Sequence, residues 1–108
     1  DLKTNKDIVD SKKNKNTELT NSNVIKVDLH IENIDDDYLL LTNYEIVQKQ
    51  LVNCERVLLL ALNSKSQKLV IVHGIGQGVL KNEVHKLLNR FNLRYFESIN
   101  GGSTEVML

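Results

Sequence analysis

The chain has 108 residues, a length for a single domain, and 14 Lys or Arg balance 14 Asp or Glu, so it lacks the blanket attraction to polyanions of a strongly basic protein. No run approaches the roughly 20 apolar residues of a membrane span and no charged-then-apolar leader opens the chain, which implies a soluble, cytoplasmic protein with no membrane partner. One cysteine, Cys54, excludes an internal disulfide framework and any Cys-rich zinc site.

In chain order, Asp1 to Asn23 is mostly Lys, Asn, Thr, Ser and Asp, with only Leu2, Ile8, Val9 and Leu19 apolar. Such composition cannot bury enough surface to offset the entropy of ordering it. It reads as a flexible tail or interdomain linker, and so points to upstream domains of a longer chain. From Val24 onward nine Lys or Arg face ten Asp or Glu, so any polyanion site must be a local patch; the run Asp35-Asp36-Asp37 reads as a solvated loop.

"VIKVDLH", Val24 to His30, alternates: Ile25, Val27 and Leu29 take one face, Lys26, Asp28 and His30 the other, as in a strand. Thr42 and Glu45 have capping-box spacing. Tyr44, Val47, Leu51, Cys54, Leu58 and Ala61 then recur at helical intervals, and the helix ends near Asn63 to Ser66. Its stripe claims Cys54 for packing, and Leu58, Leu59, Leu60 and Leu62 crowd its end. "KLVIV", Lys68 to Val72, reads as a covered strand, followed by Gly74-Ile75-Gly76-Gln77-Gly78. Leu80, Val84, Leu87, Leu88 and Phe91 stripe a second helix, with Lys81, Lys86 and Arg90 on its polar side. Arg94 to Ser98 reads as a third strand, and Asn100-Gly101-Gly102 turns the chain into "TEVML".

The order is β-α-β-α-β-β. Two crossover helices predict parallel pairing of the first three strands, and the short turn an antiparallel last one. The fold class is α/β, an α+β two-layer sandwich, with both helices on one face of a mixed four-stranded sheet over residues 24–108.

Asp28 and His30 project from one face near the carboxyl end of their strand, where open α/β sheets place ligands. A carboxylate that orients an imidazole makes a general acid/base unit. The same spacing also occurs on any strand with one wet face. Next, His73 precedes three glycines and a helix start whose first amides lack intrahelical partners. Gly74, Gly76 and Gly78 let backbone approach an anion, and Lys81 adds a charge in the first turn; equally, glycines supply positive φ for a turn. Three in five residues is more than a simple turn needs, which weighs toward an anion.

The loop is neither a Walker A sequence nor G-x-G-x-x-G, although Glu97 stands about 20 residues on, where a ribose-binding acid belongs. No organic cofactor is expected. Asp28, His30 and His73 on one rim are donors enough for a divalent metal ion, but the spacing does not demand one. A phosphodiester gripped by amides beside two histidines is the simpler constellation. His85 reads as a surface residue.

"VDLH" (Val27 to His30), "HGIGQGVLK" (His73 to Lys81) and "GSTEV" (Gly102 to Val106) resemble, in order and spacing, the small MutS-related (Smr) domain, whose members show L-D-L-H, then H-G-x-G-x-G-x-L-R, then G-A-T-x-V. The variant here looks most like Smr domains that end longer bacterial proteins. The resemblance implies a fold similar to the carboxy-terminal domain of translation initiation factor three. It also implies binding of DNA or RNA, with nicking endonuclease activity in several members. By motif, Asp28 and His30 match positions linked to cleavage, and His73, Gly74 and Gly76 match the loop. Lys81 stands where arginine is usual, which keeps the charge and loses the bidentate fork. Lys86, Arg90 and Arg94 extend the candidate nucleic-acid surface. A non-cleaving binding module and a protein-interaction domain that uses the apolar end of the first helix are the alternatives.

Overall fold

The computed structural model describes residues 16–108 except Ser22. Five strands and two long helices follow one another: β1 (Thr17–Asn21), β2 (Val24–Asp28), α1 (Asn43–Asn63), β3 (Lys68–Val72), α2 (Val79–Arg90), β4 (Arg94–Glu97) and β5 (Ser103–Met107). Two single 3-10 turns, Ile31–Asn33 and Tyr38–Leu40, bridge β2 to α1.

The sheet order is β1-β2-β3-β5-β4, with β2 and β3 parallel and every other pair antiparallel. Alternation decides the faces: Ile25, Val27, Leu69, Ile71, Thr104 and Val106 point inward and are buried. Against them α1 lays Cys54, Val57, Leu58 and Ala61, and α2 lays Val84, Leu87 and Leu88. This is the expected two-layer sandwich with both helices on one face. Cys54 is wholly buried in it, and burial pushes its thiol up to about 12.

Two expectations change. The sheet has five strands, because Thr17–Asn21, inside the stretch read as tail, pairs antiparallel with β2, Thr17 opposite Val27 and Leu19 opposite Ile25. Glu18, Leu19 and Thr20 are exposed, so ladder bonds hold this edge strand and no apolar alternation announces it. Of the rest of the expected linker, residues 1–15 and Ser22 lie outside the described residues. Second, β3 and β4 run the same way without pairing, since β5 folds back and inserts between them. Composition explains the exchange: β5 buries Thr104 and Val106 completely, whereas Arg94, Phe96 and Glu97 of β4 stay exposed, as suits an edge.

The expected start of α1 is present in full, with Thr42 and Glu45 closing a capping box. Tyr44, counted on its apolar stripe, is 72% exposed because the first turn precedes contact with the sheet. The leucine crowd at the far end divides: Leu58 joins the core and Leu59 and Leu60 remain exposed. Among the described residues no helix is long and apolar enough to cross a membrane.

Candidate functional site

The site gathers at the carboxyl ends of β2 and β3. Asp28 closes β2, and its Oδ1 accepts from the His30 backbone N–H at 3.0 Å and lies 2.6 Å from His30 Nδ1. A carboxylate oxygen accepts, so Nδ1 carries the hydrogen and Nε2 of the neutral ring is the acceptor. Both side chains are partly open to solvent, 46% for His30 and 38% for Asp28. Their backbone is pinned from two elements that the motifs do not name. Asn16 accepts from the Asp28 N–H at 2.8 Å and donates Nδ2–H to the Asp28 carbonyl at 2.9 Å, and buried Gln50 of α1 donates to the Leu29 carbonyl at 2.9 Å. Gln50 sits on the inner face of α1, a signal available in the sequence as a polar residue on an apolar stripe.

The glycine loop leaves the end of β3, the parallel neighbour of β2, beside this pair. The His73 and Gly74 N–H groups both donate to the Gly102 carbonyl, at 3.2 and 2.9 Å, which ties the loop to the hairpin before β5. Gly74, Gly76 and Gly78 all have positive φ, +80°, +39° and +85°. The turn itself therefore demands all three glycines, and their number is no argument for an anion. Gly74 has a second reason: a Cβ there would stand 3.2 Å from His30 Nε2. Around Gly76 and Gly78 no atom comes within 4 Å of that point, so the outer side of the loop is open.

Gly78 is the N-cap of α2 and supplies no side-chain cap. The first helical bond there runs from Asn82 N–H to the Gly78 carbonyl, so helix geometry leaves the amides of Val79, Leu80 and Lys81 without intrahelical partners. Val79, Leu80 and Lys81 border a groove of about 490 Å³ between the loop and the first turn of α1, where Asn43, Ile46 and Val47 form the facing wall.

His73 is placed differently from expectation. Its ring turns inward, 7% of the residue is exposed, and both nitrogens are engaged: Nδ1 lies 2.9 Å from the Gly74 carbonyl and Nε2 2.8 Å from Thr104 Oγ1. His73 borders the groove beside the loop, whereas His30 is not among the residues that line it, so the two rings do not converge there as donors. His85 is not a surface residue: Nε2 lies 2.9 Å from the same Thr104 oxygen, and its ring stacks on Tyr95 with centroids 4.6 Å apart. Burial, first among the causes, lowers the pKa of both histidines.

The basic side chains do not form one patch. Lys81 Nζ lies 3.4 Å from Glu97 of β4. Five residues advance a helix by about 140° and nine by about 180°, which turns Lys86 and Arg90 away from Lys81. Lys86 pairs with Glu83 at 3.2 Å, and Arg90 faces the seam with α1. Tyr95 packs inward, so alternation sends Arg94 to the opposite, wet face of the sheet. Nor is the metal donor set assembled: among the described residues no three His, Cys, Asp or Glu side chains gather to hold an ion.

A family model described as Smr domain matches residues 46–103, which include the whole glycine loop and α2 and begin after Asp28 and His30. No curated protein and no solved structure matches the chain. The match covers just over half of the chain and falls on the glycine loop, both helices and the hairpin that ties the loop down: the chain belongs to the Smr domain family.

Proposed function

We propose that this domain binds the phosphodiester backbone of a nucleic acid at the glycine loop and cleaves it with His30. The observation that carries the reading is the Asp28–His30 pair, 2.6 Å apart and partly solvent-open, with Nε2 directed at Gly74 on the edge of the loop. A base oriented by a carboxylate, close to Gly74 of a loop that leads into uncapped helix amides suited to an anion, is the arrangement phosphodiester hydrolysis needs. Nε2 takes a proton from an attacking water as the new P–O bond forms. Asp28 supports the charge gained by the ring. The ester P–O bond breaks, and the leaving alkoxide takes a proton from solvent. Amides of the first turn of α2, with Lys81, carry the phosphate charge.

Nicking of supercoiled plasmid and cutting of structured RNA by wild type beside His30→Ala tests this. Loss of an oriented general base lowers the rate by roughly 10² to 10⁴ while oligonucleotide affinity persists. Equal rates for the two proteins remove His30 from the chemistry.

A second reading is binding without cleavage, favoured by the engagement of both His73 nitrogens, which leaves His30 alone to move protons. It predicts steeply salt-dependent affinity and no turnover by wild type.

A further inference from the structure

Behind the loop lies a polar chain that none of the motifs describes as a unit. A carbonyl only accepts, so the 2.9 Å contact between His73 Nδ1 and the Gly74 oxygen puts a hydrogen on Nδ1. In the neutral ring Nε2 is then an acceptor, and Thr104 must donate its hydroxyl proton across the 2.8 Å contact. That uses the only proton the hydroxyl has. At 2.9 Å from His85 Nε2 the same oxygen therefore accepts, and His85 carries its hydrogen on Nε2. Every direction follows from the one carbonyl: His85 donates to Thr104, Thr104 to His73, and His73 to Gly74.

We propose that His85, acting through Thr104, is a positioning residue for the glycine loop, selecting the His73 tautomer that holds the Gly74 carbonyl and so fixing Gly74 against His30. Each end of the chain is anchored. The His85 ring stacks on Tyr95, whose hydroxyl donates to Asn89 on the next turn of α2. At the other end Gly74 is bonded through its oxygen to His73, and His30 Nε2 lies 3.2 Å from where a Cβ on Gly74 would stand. Thr104 is wholly buried and His73 nearly so, and water has little opportunity to substitute for a missing partner. The consequence for binding rests on the phosphodiester reading above, whereas the tautomers do not.

The test is long-range proton–nitrogen correlation NMR on the labelled chain at mildly alkaline pH without nucleic acid. The expected spectrum has His73 protonated on Nδ1 and His85 on Nε2; a His73 ring protonated on Nε2 overturns the proposal. Thr104→Val should give His73 mixed tautomers, shift the Gly74 and Gly76 amide signals and weaken binding of a fluorescent oligonucleotide by roughly three- to tenfold, the worth of one hydrogen bond. Thr104→Ser should restore all three. His85→Phe keeps a ring on Tyr95 without an N–H, and should also mix the His73 tautomers. If His85→Phe leaves the His73 tautomer and the loop amides unchanged, His85 has no positioning role. A chain that binds no oligonucleotide sinks the phosphodiester reading, while the spectra still decide this one.

Discussion

The two helices begin on the same groove and begin differently. At α1 the Thr42 hydroxyl accepts from the Glu45 N–H at 3.1 Å while the Glu45 carboxylate accepts from the Thr42 N–H at 2.8 Å, so side chains satisfy amides that helix geometry leaves open. At α2 the capping position is Gly78, with φ +85° and no side chain to offer. One deficit has two solutions. The first is local and serves stability; the second leaves free amides on residues that line the groove, where an anion can complete them.

The difference breaks most severely at Gly74→Ala. A side chain at φ +80° costs roughly 1–2 kcal/mol in the left-handed region alone, and His30 must also move away from a new Cβ at 3.2 Å. The thermal midpoint should fall and oligonucleotide affinity drop about tenfold or more, a loss of at least ~1.4 kcal/mol of binding. Retained affinity would mean that the site does not depend on this loop geometry. Thr42→Ala is the matching change at the other helix. It should lower stability by about 1 kcal/mol, roughly 4–8 °C in the midpoint of a domain of this size, with affinity unchanged. A parallel fall in affinity would make the start of α1 part of the site and erase the distinction.

The two helix starts also mark what a sequence can disclose. The capping box is a four-residue code, legible in the sequence itself. The glycine trio was readable as a loop, but its reason was not, because three positive φ values belong to a backbone path and not to a composition. Strand order failed for a related cause: whether β5 joins β3 or the outer edge depends on which strand buries two side chains against both helices. Thr104, His73 and His85 are separated by 31 and 19 residues, so no spacing rule links them. The split of Lys81 from Lys86 and Arg90 was legible in helical geometry, as was the opposite facing of Arg94 in strand alternation.

Acid should separate the helix starts again. Burial sets the His73 and His85 pKa values below the ordinary 6.5, and a proton taken up on His73 Nε2 reverses the bond that Thr104 donates to it, while the bond from His85 to Thr104 stands. His73 faces Lys81 of α2, Glu97 of β4 and His30 beyond β2; His85 faces Glu97, Lys81, His73 and the Tyr95 ring. With folded values below the unfolded one, the unfolded chain binds more protons, and stability is complete above 6.5 and declines as pH falls toward the folded values. Thermal midpoints across this window should fall for wild type and Thr42→Ala in parallel, and less steeply for His85→Phe, which has one titrating ring fewer. Equal slopes in all three would assign the acid sensitivity elsewhere.

The smallest effect on stability, and the finest probe of the open helix start, is Glu97→Gln. Glu97 is the anion that Lys81 meets within the domain, at 3.4 Å, with 45% of the Glu97 side chain and 23% of the Lys81 side chain exposed. A pair that open to water contributes at most about 0.2–1 kcal/mol, so the midpoint should scarcely move. Binding is another matter, since a phosphate that recruits Lys81 must first displace this carboxylate. Glu97→Gln should tighten oligonucleotide binding and steepen its salt dependence, while Lys81→Ala should weaken binding and reduce the slope of log affinity against log salt by about 1. If both slopes equal that of wild type, Lys81 meets no phosphate, and the uncapped amides of α2 must carry the anion without it.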